Sequence, residues 1–171
     1  MTGSRFGLCS SRLALLAAVA ALPAQALAEG LHTRLDGYAE TPVAISTTGE
    51  GSFRARLDRR DDTIEYELSY EGLEGTVLQS HIHFGKPSDS GGIAVFLCSN
   101  LGNGPAGTQP CPPSPATITG TIRAADVIGP TGQGIEPGAF DELAEAIREG
   151  VAYVNVHSDK WPGGEVRGQL K

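Results

Sequence analysis

The sequence predicts an all-β fold, an antiparallel sandwich or barrel of about eight strands with one short helix. Apolar and polar residues alternate at period two in one short segment after another. These segments are punctuated by the turn chemistry of 23 glycines and 11 prolines among 171 residues. Helical spacing of apolar residues occurs convincingly in a single stretch.

The alternation begins at Leu31, Thr33, Leu35 and Gly37. Phe53, Ala55 and Leu57 then alternate with arginines. Ile64, Tyr66, Leu68 and Tyr70 share one face, and Glu65, Glu67 and Ser69 the other. Leu78, Ser80, Ile82 and Phe84 oppose Val77, Gln79, His81 and His83. Ile93 to Cys98 is a continuous apolar run, as expected of a central strand covered on both faces. Thr117 to Ile122, Val151 to His157 and Glu165 to Leu170 complete the set. Phe140, Leu143, Ala144 and Ile147 recur at helical spacing, with Asp141 and Glu142 in the first turn and Arg148 in the last, as a helix dipole favours. Gly150 is a natural stop. This helix is expected to close one edge or end of the sheet, and Asp126-Val127-Ile128 to form a short helical turn ahead of a Gly/Pro-rich link.

Composition excludes several function classes. The net charge is −7 with no Lys/Arg-rich run, which argues against a nucleic-acid surface. No GxGxxG or P-loop stands between a strand and a helix, and no GxSxG elbow supports a serine hydrolase.

Residues 1–28 read as a secretory signal peptide. Arg5 and Arg12 precede ten unbroken apolar residues, Leu13 to Leu22; Pro23 breaks the run, and Ala26-Leu27-Ala28 supplies a cleavage pattern. The expected mature unit is a single domain, 29–171, with the charge moved from −7 to −9 by loss of the two arginines. No later run is long enough to span a membrane, so the expected location is secreted or periplasmic. Cys98 and Cys111 then remain as a pair, for which a disulfide is the default in an oxidising compartment. Two free thiols or a metal pair are the alternatives, the latter disfavoured by a spacing without CxxC.

One constellation carries chemistry. His81 and His83, two residues apart, project to the same face of one strand, opposite Ile82 and Phe84. Asn155 and His157 share a face with Tyr153, opposite Val154 and Val156. Glu165, Arg167 and Gln169 share a face opposite Val166 and Leu170. The short loop containing Trp161-Pro162-Gly163-Gly164 favours a hairpin between the last two strands. If the three strands are adjacent, Gln79, His81, His83, Asn155, His157, Glu165, Arg167 and Gln169 merge into one polar patch.

Three imidazoles in such a patch suit copper or zinc, with Glu165 as a fourth ligand or as the partner that fixes a ring tautomer. Neutral imidazole is the competent form, so binding should weaken below about pH 6. The alternative is a hydrogen-bonded polar cluster in which these side chains satisfy one another. A paired copper–zinc site of the superoxide dismutase kind needs more histidines than the four present. His32, Asp36 and Glu40 read as surface residues, Arg167 as a partner of Glu165, and Trp161 as either an exposed contact or a lid over the patch.

An ordered set of motifs resembles a known family. It comprises Leu35 to Val43 (LDGYAETPV), Gly49 to Leu57 (GEGSFRARL), Ile64 to Glu74 (IEYELSYEGLE), His81 to Gly85 (HIHFG), Val154 to Ser158 (VNVHS) and Gly163 to Gln169 (GGEVRGQ). Together they resemble the CHRD (chordin) domain family over nearly the whole expected mature chain. The resemblance implies an immunoglobulin-like β-barrel and does not imply a reaction. The resulting expectation is an exported binding or structural module rather than an enzyme, with an extracellular or envelope protein as its partner. The alternative is a mononuclear copper or zinc metalloenzyme using the same histidines.

Overall fold

The structure is a computed structural model that describes residues 28–58 and 60–171, together with Met1 and Gly3. The expected signal peptide therefore lies almost wholly outside the described residues. Eight strands run β1 (Glu29–Asp36), β2 (Glu50–Asp58), β3 (Thr63–Glu71), β4 (Val77–Phe84), β5 (Gly92–Ser99), β6 (Ala116–Ile122), β7 (Ala152–Ser158) and β8 (Val166–Gln169). Among the described residues the α-helix α1 (Phe140–Arg148) precedes β7, and short 3-10 turns span Gly37–Ala39, Ala124–Asp126 and Thr131–Gln133.

All eight strands belong to one antiparallel sheet in the order β5-β4-β7-β8-β1-β2-β3-β6. A single continuous sheet is the arrangement of a barrel, and this one is nearly closed. At the seam between β5 and β6, side chains replace a ladder. Gln109 Nε2 donates to Leu97 O (3.1 Å) and Thr119 O (3.2 Å), and Tyr66 Oη donates to Leu97 O (3.2 Å). The inward residues of every strand form one apolar core, including Leu35, Phe53, Leu68, Ile82, Leu97, Val154, Val156 and Val166.

The helix forms where its spacing predicts. Its stripe of Phe140, Leu143, Ala144 and Ile147 is buried in the core, and Arg148 pairs with Glu29 at the start of β1. At the other end of β5, Cys98 and Cys111 are joined by a disulfide. Asn100 ties this loop down by donating to Val77 O and Cys111 O (both 2.9 Å), and Ser99 N donates to Gln109 O (2.9 Å). The cross-linked loop thus carries the glutamine that bridges the seam.

One expectation is corrected. The apolar run Ile93–Cys98 is an edge strand of the sheet, not a central one. Its register against β4 slips twice, between Ser80 and His81 and between Ile82 and His83. Each slip leaves an extra residue on β5, which lets Ala94, Val95, Leu97 and Cys98 all reach the core. Strict alternation is lost, and the segment imitates a doubly covered strand.

Candidate functional site

The β4-β7-β8 pairing builds a polar wall on the outside of the barrel. Gln79 lies opposite His157, His81 opposite Asn155 and His83 opposite Tyr153; across the next ladder, Asn155 faces Arg167 and Tyr153 faces Gln169. Ile82, Val154, Val156 and Val166 point the other way, into the core. The apolar inward set fixes the register, because a one-residue slip would carry the histidines into the core. The two β5 bulges flank His81 and His83, a placement that re-aims side chains.

This outward wall is not exposed to water. His81 is 0%, His157 6%, His83 7% and Arg167 2% exposed. Arg167 holds the cover in place. Its guanidinium donates to Thr41 Oγ1 and to the carbonyls of Asp89 and Lys86 (both 2.9 Å), and it lies 3.4 Å above the Tyr153 ring. It thereby clamps the β1–β2 and β4–β5 connections over the strands. The His83 ring stacks in parallel on Tyr153 at 4.8 Å, and Phe96 from β5 meets His81 edge to face at 4.4 Å.

Within this niche His81, His83 and His157 each place one ring nitrogen within 4.8 Å of the other two. Two backbone carbonyls set tautomers. His83 Nδ1–H donates to Gly91 O and His157 Nδ1–H to Pro162 O, both at 2.9 Å. Each ring then presents an unprotonated Nε2. His81 Nδ1 lies 3.2 Å from His157 Nε2 and donates to it, which leaves His81 Nε2 unprotonated as well. Asn155 Oδ1 lies 3.0 Å from the same His157 Nε2. The Nε2 atoms of His81 and His83 are buried without a hydrogen-bond partner.

Burial keeps all three rings neutral. Loss of solvent pushes His81 down to about 2 and His83 to about 4, with the neighbouring imidazoles contributing, and lowers His157 too. Protons therefore compete with a metal only at lower pH than an exposed histidine would allow.

The remaining sequence-predicted residues divide. Asn155 belongs to the niche, and Gln169 frames its edge by donating to Gly85 O and Gly150 O (both 2.9 Å). Gln79 is half-exposed and accepts from Asn103 (3.0 Å). Glu165 is buried but does not join the histidines. Its Oε1 accepts from Thr47 Oγ1 (2.7 Å) and Glu74 N (2.6 Å), and carbonyls, not this carboxylate, fix the tautomers. Arg167 binds the covering loops and lies on Tyr153, whereas Glu165, just ahead of β8, accepts from Thr47 and Glu74. Glu40 is a further correction. It is 6% exposed, and burial pushes its carboxyl up to about 7 against the pull of Arg167. Trp161 is half-buried, and it is the carbonyl of the next residue, Pro162, that touches His157. His32 is exposed on β1.

Tyr153, Phe96 and Thr41 complete the niche without having been singled out. Tyr153 was visible by parity, and Phe96 would have followed from the β4–β5 register. The carbonyls of Gly91 and Pro162 leave no signal in side-chain identity.

Fold and site together define an antiparallel β-barrel with a buried three-imidazole niche on its outer wall. The family model for the CHRD domain matches residues 31–170, and the chain belongs to that family. No curated protein matches the chain, and no solved structure does. Among the described residues no helix is long and apolar enough to cross a membrane.

Proposed function

We propose that this CHRD domain is an exported binding module that holds one copper or zinc ion through His81, His83 and His157. One observation carries the reading: three neutral imidazoles converge in a buried niche, and the Nε2 atoms of His81 and His83 have no hydrogen-bond partner there. Leaving a buried acceptor unpaired costs about 1–3 kcal/mol, a cost that a ligand at that point removes. The carbonyl partners of His83 and His157 are the arrangement that orients metal-ligating histidines. Metal entry exchanges the His81–His157 hydrogen bond for bonds to the ion. An exported setting is supported by the Cys98–Cys111 disulfide and by the leader-like residues 1–28.

Catalysis at the same ion would require a substrate to reach it. The histidines are nearly or fully buried beneath clamped loops, which favours holding the ion over turnover. The test is metal analysis of the tag-free chain cleaved after Ala28, wild type against His83→Ala. About one ion per chain is expected for the wild type and none for the variant. No affinity tighter than ~10 μM (about −7 kcal/mol) for either ion would overturn the reading and leave a hydrogen-bonded polar cluster.

A further inference from the structure

We propose that the niche selects monovalent copper over divalent ions, an inference that rests on the metal reading above and concerns which ion the site takes. Among the described residues, the group of closely placed histidine, cysteine or acidic side chains that could hold an ion consists of His81, His83 and His157, with neither a carboxylate nor a thiolate among them. Both hydrogen bonds of the nearby buried acid, Glu165, run to Thr47 and Glu74. Arg167 lies on the Tyr153 ring, on which His83 also stacks, and the acids that act on this part of the wall, Glu40 and Asp89, face Arg167 and Tyr153.

An ion entering here gives up water for three neutral nitrogens between the aromatic walls of Phe96 and Tyr153. The Born cost of that transfer rises with the square of the charge, so a divalent ion bears about four times the penalty of a monovalent one. Nothing anionic in the ligand set offsets it. Zn²⁺ also takes four ligands almost invariably, and with three imidazoles it must bring a water or hydroxide into this dry space. Cu(I), a closed-shell monocation, is satisfied by three nitrogen donors. Copper bound as Cu(I) needs no electron transfer at the site, because the ion enters already reduced.

The experiment titrates the tag-free chain with Cu(I), anaerobically against a chromogenic Cu(I) chelator, and separately with Zn²⁺. Wild type is compared with Asn155→Asp, an isosteric change that sets a carboxylate beside His157 Nε2, from which the amide is 3.0 Å distant. The expected result is Cu(I) binding at least tenfold tighter than Zn²⁺, with that preference reduced at least tenfold in Asn155→Asp. Circular dichroism checks that the variant is folded; should it not fold, Ag(I), a redox-inert closed-shell monocation, is titrated into the wild type in its place, and the same tenfold preference over Zn²⁺ is expected. A preference below tenfold, or one the added carboxylate leaves unchanged, overturns the selection of a monovalent ion while the metal site stands. Binding of neither ion overturns the metal site itself.

Discussion

Two outer walls of this barrel have the same alternating pattern and opposite surroundings. On β1, β2 and β3, the outward residues are His32, Arg34, Arg54, Arg56, Glu65 and Glu67, and they lie in water. Arg34 pairs with Glu50 and Arg56 approaches Glu65 at 3.9 Å, all of them largely exposed. On β4, β7 and β8, the outward residues are histidines, Asn155, Tyr153 and Arg167, and they are buried. Exposed ion pairs contribute about 0–1 kcal/mol, whereas each buried polar group must be matched or costs about 1–3 kcal/mol. Polarity on the outside of a strand therefore has two meanings, and the loops decide between them. Where the connections lie over the strands, the polar side chains become an interior with specific partners.

The largest expected effect falls on the clamp. Arg167→Met removes the donors to Lys86 O and Asp89 O and the cation over Tyr153, and should cost about 4 kcal/mol in urea unfolding. A loss below ~1 kcal/mol would mean that the loops cover the niche without it.

Acid should distinguish the walls next. His83 titrates near 4 in the folded chain against 6.5 ordinarily. The unfolded chain therefore takes up a proton first, and stability falls as pH drops from 6.5 towards 4, by on the order of 3 kcal/mol from this residue. Urea midpoints at pH 7 and pH 5 should converge in His83→Gln relative to wild type; equal slopes would contradict the burial of that ring.

Glu40 works in the opposite direction. Its folded value of about 7 lies above the usual 4.5, so its contribution is full below pH 4.5 and is lost as pH rises through 7. Glu40→Gln should exceed wild-type stability at pH 8 by about 2 kcal/mol and match it at pH 4. The smallest effect belongs to the wet wall, where Arg56→Gln should change unfolding by less than about 0.5 kcal/mol.

Much of this contrast was legible in the sequence, and its decisive half was not. Period two placed His81 with His83, and Asn155 with His157, on one face, and the short Trp161–Gly164 loop gave the β7–β8 hairpin. The same rule put Glu65, Glu67 and Ser69 together on the wet wall. Parity says which residues share a face but not what covers it, so Glu40 read as a surface acid and Glu165 as a histidine neighbour. Cover comes from irregular loops whose backbone carbonyls, at Lys86, Asp89, Gly91 and Pro162, carry no residue-specific signature. The β5 bulges likewise turned an edge strand into an apolar run that looked central.

The central claim, that three neutral imidazoles each bring one ring nitrogen to a common site, can be read ring by ring. Long-range proton–nitrogen NMR of the ¹⁵N-labelled chain separates protonated from bare ring nitrogens for all four histidines. The account predicts the Nδ1–H tautomer for His83 and His157 without metal. On one equivalent of Cu(I), it predicts shifts of a ring nitrogen in His81, His83 and His157, with exposed His32 unmoved. Nε2–H tautomers at His83 and His157, or a response confined to His32, would contradict it.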